Sequence, residues 1–356
     1  MALLRDSSEA GDRTKGLPVD WSLAARTAAR LMHPGPAVPP AEARRAVELL
    51  REHGATAEDH VRTLTGLGAG LPLLQADVVD RASWAAAATS GMAALTASAV
   101  LPGVSARVRS VTEKTAGIQT GAVLSYLGSR VLGQYDPFGG PDNGGRLLLV
   151  APNVVAAQRA LDVSLEEFSL WVCLHEATHR LQFTAVPWLR GYFGDQVAAF
   201  LSAAESSAMG VLERLPSALA SARGGDGLGL LEVLQSPEQR AVLDRLLALS
   251  TLLEGHADHV MDAVGPAVVP SVETIRARFT ERRRGGGIFD RFLRVLLGVE
   301  AKMKQYAVGA AFTRAVVDKV GMAGFNMVWT SPDTLPTRAE LSDPQAWIRR
   351  VAPVPA

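Results

Sequence analysis

His175-Glu176-Ala177-Thr178-His179 stands inside a stretch that is apolar at helical spacing, and few five-residue patterns constrain a chain more tightly. In an α-helix, residues four apart lie one above the other, so His175 and His179 can aim two imidazoles at a single point while Glu176 stands beside them around the axis. The chemistry that uses this set is a zinc ion with a neighbouring carboxylate base. Two ring nitrogens ligate the ion, and Glu176 takes the proton of a water bound to it. Whatever else the chain builds must pack around this helix and supply a further ligand.

The helix is marked at its start and along its face. Ser164-Leu165-Glu166-Glu167 has the form of a capping box, with Ser164 as N-cap and Glu167 at the third helical position, and Phe168, Trp171, Val172, Leu174 and Leu181 follow at helical intervals. Phe168, Val172, His175 and His179 share a flank, so the histidines face inward, where an imidazole without a partner is costly to bury. The plain alternative is a pair of buried histidines bonded to backbone carbonyls. Cys173 lies about 200° around the helix from His175, which reads as a packed thiol rather than a ligand. As the one cysteine of the chain it can form no internal disulfide, which fits a reducing compartment.

Most of the remaining text is helical. Asp20 can cap a helix from Trp21 to Met32, the run Pro34 to Pro40 interrupts it, and Ala41 to Glu52 and Thr56 to Thr65 read as two further helices. Gly66-x-Gly68-x-Gly70 lacks a preceding strand and has Pro72 close behind, so it ends a helix rather than cradling a phosphate. Asp77 to Thr96 and Glu113 to Leu132 read as helices, Tyr135 to Gly145 as a long turn-forming segment, and Arg146 to Pro152 as the clearest strand. A sheet edge there would lie beside the metal and could pair with an extended substrate; a strand that merely packs is the alternative. Beyond the motif, Ala185 to Leu219 reads as helical and Ser221 to Gly229 as a loop. Ser236-Pro237 starts a helix ending near Val264, and Arg282 to Gly287 is a basic loop. Phe289 to Val320 is helical, and the tail from Ser331 wraps the surface. The chain as a whole reads as mainly α, an α+β protein with a small sheet.

Two histidines leave zinc short of a protein ligand. Leu243, Leu247, Glu254, Asp258 and Met261 share a helical face, so Glu254 and Asp258 interrupt an apolar stripe one turn apart. Glu254 is the candidate third ligand, and Asp258 would orient a ligand histidine through its other ring nitrogen. His256 and His259 lie on another side of the same helix, and both pairs cannot meet one ion. A solvated Glu and Asp is the bland alternative. Tyr306 is a candidate oxyanion donor.

These residues resemble a known family. His175-Glu-Ala-Thr-His179 with the later Glu254-Gly-x-Ala-Asp258 is similar to zincin metallopeptidases of the glutamate-ligand type. Val131 to Asp136, Val150-Ala-Pro-Asn153, Glu254-Gly255 and Lys302-x-x-Gln-Tyr306 resemble zincin-like hydrolases, including a branch associated with coenzyme F420 biosynthesis. The resemblance runs from about Trp21 to Val320. It implies a zincin-like metallopeptidase architecture with an active-site helix and added helices, and a Zn2+ cofactor. The chain reads as an N-terminal helical region, 1–112, and a metallopeptidase domain, 113–356, with one compact unit as the alternative. The spacing departs from the family's pattern, because 74 residues separate His179 from Glu254 where the connection is usually short.

Composition narrows the function classes. Lys plus Arg and Asp plus Glu number 36 each in 356 residues, which gives no electrostatic reason to expect nucleic acid or an anionic membrane as partner. The amino terminus lacks a basic segment followed by an apolar run, and the longest apolar tract, Gly91 to Val104, is too short to span a bilayer. The reading is a cytoplasmic zinc-dependent hydrolase acting on a peptide or small molecule. A non-catalytic binding or scaffold protein stapled by zinc, or one linked to coenzyme F420, is the alternative.

Overall fold

The computed structural model describes residues 13–102, 106–140, 144–206, 237–284 and 299–353. Its centre is the motif helix, α6 (Leu165–Ala185), entered where Ser164 Oγ accepts the backbone N–H of Glu167. The reciprocal half of the expected capping box is not made. Glu167 instead accepts the backbone N–H of Ser271 at 2.7 Å, tying the start of α6 to the turn before α9 (Val272–Arg284).

Helices surround α6. The long α2 (Pro40–Thr65) packs along it, α5 (Ala151–Leu161) leads into it, and α7 (Leu189–Ser206) follows it. Two helices were expected where α2 is one; Gly54, between them, faces Ala76 at a spacing that leaves a methyl group little room. Helix α2 stops at Gly66, whose φ of 70° is the left-handed cap that favours glycine, so this glycine run is a helix end, as expected.

The sheet has the order β2-β5-β4. The predicted strand is its centre, β5 (Arg146–Val150), with β2 (Asp77–Val79) parallel on one side and β4 (Gly133–Asp136) antiparallel on the other. Leu147 to Val150 are buried, as a strand covered on both faces requires. Two expectations change here. Asp77 to Val79 is extended and only Arg81–Thr96 is helical, forming α3, capped by Asp80; Tyr135 and Asp136 are strand residues rather than the start of a turn. Because β5 is central, the edge beside α6 belongs to β4. A second ribbon pairs β1 (Arg13–Lys15) with β3 (Val100–Pro102).

On the amino-terminal side, α1 (Trp21–Leu31), capped by Asp20, packs with α3 and α4 (Ala106–Gly128) around Ala28, Trp84 and Leu124. On the opposite side of α6, α8 (Pro237–Ala263) crosses α10 (Val299–Phe325). At this crossing a Cβ on Gly255 would lie 2.1 Å from the Gly309 carbonyl carbon, so the two backbones touch with no side chain between them. The carboxyl-terminal segment, expected on the surface, plugs the core. Two short helices, α11 (Arg338–Ser342) and α12 (Pro344–Val351), seat the fully buried Trp347 against Phe312 of α10. Of the expected basic loop, Arg282 to Arg284 instead close α9, and Gly285 to Gly287, like Ser221 to Gly229 and Ser236, lie outside the described residues. No described helix is long and apolar enough to cross a membrane.

A buried ion pair braces this arrangement next to the motif. Glu58 of α2, fully buried, pairs with Arg180 of α6, which is 4% exposed, and also with Arg62 one turn on. Arg180 donates to the Pro72 carbonyl at 2.6 Å and Arg62 to the Gly68 carbonyl at 2.7 Å, so the loop after α2 hangs from two guanidinium groups. Removing the carboxylate strands a buried charge. Glu58→Ala is therefore expected to cost about 3–5 kcal/mol of stability, read from urea unfolding midpoints; a loss below about 1 kcal/mol, the worth of an exposed pair, would show that Arg180 finds solvent.

Candidate metal centre

Helix α6 supplies His175 and His179, and α8 supplies Glu254. The Nε2 atoms of the two histidines are 3.2 Å apart, with their rings perpendicular at 88°. Glu254 Oε2 lies 3.5 Å from His175 Nε2 and 3.6 Å from His179 Nε2. Donor atoms held 2.0–2.2 Å from one tetrahedral ion are about 3.3–3.6 Å apart along its edges. The spacing of these three atoms therefore fits one zinc ion. Ring nitrogens that approach so closely repel unless a hydrogen or a metal cation stands between them.

The field of the site points the same way. Burial works against charging His179, but the hydrogen bond and charge of Glu254, together with Glu176, overcome it and push the imidazole up to about 9. The three donors are not sealed off: the side chains of His175, His179 and Glu254 keep 25%, 15% and 20% of their exposure. That leaves a solvent-facing side on which water and a substrate can approach.

Glu176 is placed by β4. A Cβ on Gly133 would lie 2.6 Å from Glu176 Cγ, so only glycine lets the strand come this close. The backbone N–H of Tyr135 donates to the Glu176 carboxylate. Burial raises this acid to about 7, with Glu254 adding to the shift and His179 and Tyr135 opposing it. A carboxyl group tuned near neutrality can both take and return a proton.

Other expectations are met differently. Glu254 does face the motif helix, but the argument from a buried stripe misjudges the faces of α8. Of that stripe only Met261 is buried; Leu243, Leu247, Glu254 and Asp258 are half-buried, whereas His256 is fully buried and His259 nearly so. The carboxylate side is the cleft side. Asp258 reaches Arg276 of α9 at 3.6 Å. The group on His179 Nδ1 is Gln182, whose Oε1 is 2.9 Å away. Gln182 Nε2 in turn lies 3.0 Å from the Leu253 carbonyl and 3.0 Å from His256 Nδ1. Sequence reasoning passed over Gln182, whose partners on α8 lie 71 and 74 positions away. His175 Nδ1 lies 3.3 Å from Met261 Sδ. Tyr306 falls where side chains are outside the described residues. Cys173 is a packed thiol as expected, 1% exposed and pushed up by burial, with its sulfur toward the Leu50 carbonyl.

Two concavities are lined by residues other than the three donors. The larger, about 760 Å3, runs between α8, α9 and α10 and is lined by Asp262, Glu273, Arg276 and Arg314 among others. Arg276 connects it to Asp258, one turn from Glu254. A smaller one, about 390 Å3, has Phe138, Pro187 and Arg190 in its wall.

A mainly helical chain that sets a His-Glu-x-x-His helix against a glutamate from a second helix, beside a small sheet, defines a protein of the zincin class. The chain belongs to the zincin-like metallopeptidase family, whose model matches residues 19–348. It is also similar to a crystal structure from Chloroflexus aurantiacus, described as "a putative hydrolase with a novel fold", at 32% identity and a TM-score of 0.65. That likeness covers 95% of this chain and 100% of the other. No curated protein matches the chain. Neither comparison carries the coenzyme F420 association.

Proposed function

We propose that the protein is a zinc-dependent hydrolase, a metallopeptidase in which His175, His179 and Glu254 hold the ion and Glu176 is the general base. When bound, zinc supplies Lewis acidity and makes a coordinated water acidic near neutral pH. The chain's own residues do the rest. Glu176 accepts a proton at its carboxylate and returns it to the leaving group, a role that suits an acid raised to about 7. Strand β4, at the sheet edge beside α6, offers backbone donors and acceptors to an extended substrate. Tyr306 remains the candidate oxyanion donor, on its sequence context alone.

The observation that carries this reading is the convergence of one donor atom each from His175, His179 and Glu254 within 4.8 Å. Three donors, rather than the four of a closed structural site, converge among the described residues, which favours a hydrolase over a zinc-stapled scaffold. Purified protein is expected to carry about one zinc per chain, and a His175→Ala, His179→Ala double variant none, by elemental analysis. Full retention of zinc in the double variant would overturn the assignment.

A further inference from the structure

We infer that Gln182 is a positioning residue that decides which nitrogen of His179 faces the metal centre, by a fixed order of donors and acceptors running between the Leu253 carbonyl and His256. The inference rests on reading His179 as a metal ligand. It follows from what each group is able to do. A backbone carbonyl only accepts, and Gln182 Nε2 is 3.0 Å from that of Leu253, so the amide nitrogen must face it. The amide oxygen is thereby turned to His179 Nδ1 at 2.9 Å. An amide oxygen also only accepts, so Nδ1 carries the hydrogen. In a neutral imidazole this leaves the lone pair on Nε2, the atom that faces His175 and Glu254.

The second hydrogen of the same amide meets His256 Nδ1 at 3.0 Å. That nitrogen is then the acceptor, and the proton of His256 sits on Nε2. Flipping the amide would bring its oxygen against the Leu253 carbonyl, two acceptors with no hydrogen between them. One carbonyl therefore fixes the polarity of the whole chain. His256 cannot swing away to release it, being fully buried and stacked on Phe325 at 5.0 Å with Trp329 at 5.6 Å.

Leu253 immediately precedes Glu254, so the Gln182 bond to its carbonyl also holds α8 against α6 at the level of the third donor. Gln182 thus positions His179 directly and Glu254 through the backbone. His256, on the side of α8 away from the metal, belongs to the support of the site.

The test compares zinc affinity by chelator competition in the parent, His175→Ala, Gln182→Leu and His256→Asn, with visible spectra of the cobalt-loaded proteins and 15N NMR of the histidine rings. His175→Ala is expected to lose zinc. Gln182→Leu should keep zinc about 10- to 100-fold more weakly, the range for loss of a group that orients a ligand, with a shifted cobalt spectrum. His256→Asn, whose carbonyl oxygen can still accept from Gln182, should stay closer to the parent than Gln182→Leu in both readouts. NMR of the parent should show His256 protonated on Nε2. Affinity within about twofold of the parent, well short of that range, with an unchanged spectrum in Gln182→Leu overturns the inference. So does a His256 proton on Nδ1, a result that needs neither zinc nor a folded variant. Zinc retained by His175→Ala would instead sink the metal assignment, leaving the donor order to be judged by the NMR tautomer alone.

Discussion

Zinc affinity is expected to fall on the order of a thousandfold in Glu254→Ala, well beyond the 10- to 100-fold that follows loss of an orienting group. Glu254 brings the formal negative charge to the three-donor set, and its Oε2 stands 3.5 and 3.6 Å from the two ring nitrogens. Without it, two neutral imidazoles must hold a dication in a partly desolvated site. Glu254→Gln keeps an oxygen but no charge, and should fall between parent and alanine variant. Chelator competition measures all three. Parent-like binding by Glu254→Ala would mean that some other residue completes the set, and the role of α8 would have to be redrawn.

In Glu176→Gln, hydrolysis should drop at least about a hundredfold while zinc stays bound, the scale expected for a positioned acid–base group. The variant is well suited to separate role from structure. Burial raises Glu176 to about 7 by penalising its charged form, and a neutral amide of the same shape avoids that desolvation cost. Its oxygen can still accept the Tyr135 N–H, and the chain should fold as before. What it lacks is a site for the proton. A peptide-library screen on the parent supplies the substrate, and turnover is then compared at equal zinc content. Equal rates would remove Glu176 from the chemistry.

What could be read from the sequence divides along physical lines. Local rules carried the motif helix, because four-residue spacing and a serine N-cap act within one or two turns. They also carried the glycine cap of α2 and the apolar strand β5. Strand β4 was missed because Gly133 to Asp136 is short and opens into glycine- and proline-rich text, while its extended form is imposed by pairing with Arg146 to Leu149. Its place beside Glu176 depends on a glycine whose reason is another element's carboxylate. Strand β2 was absorbed into a helix for the same cause: three residues hold no period of their own.

At the site, the two histidines and Glu176 share one helix and were legible together. Glu254 was found by orientation around its own helix, yet the stripe taken as buried faces the cleft, since burial on α8 is decided by α6 and α10 together. Gln182 and His256 were out of reach. Nothing in a sequence tells that an amide three residues past a ligand will meet a carbonyl and an imidazole 71 and 74 positions away.

The contact of Gly255 with Gly309 bears on how such proteins are to be recognised by pattern. Glu254 is aimed by a crossing of two helices whose backbones touch one residue further on, so its address is a place in space rather than a distance along the chain. The crossing itself sets no length for the connection between α6 and α8. A signature with a fixed gap after the second histidine will pass over chains of this kind. One that asks for a glutamate directly followed by glycine in a later helix, at any separation, will retain them, because the glycine is what lets that helix come close enough to present its neighbour.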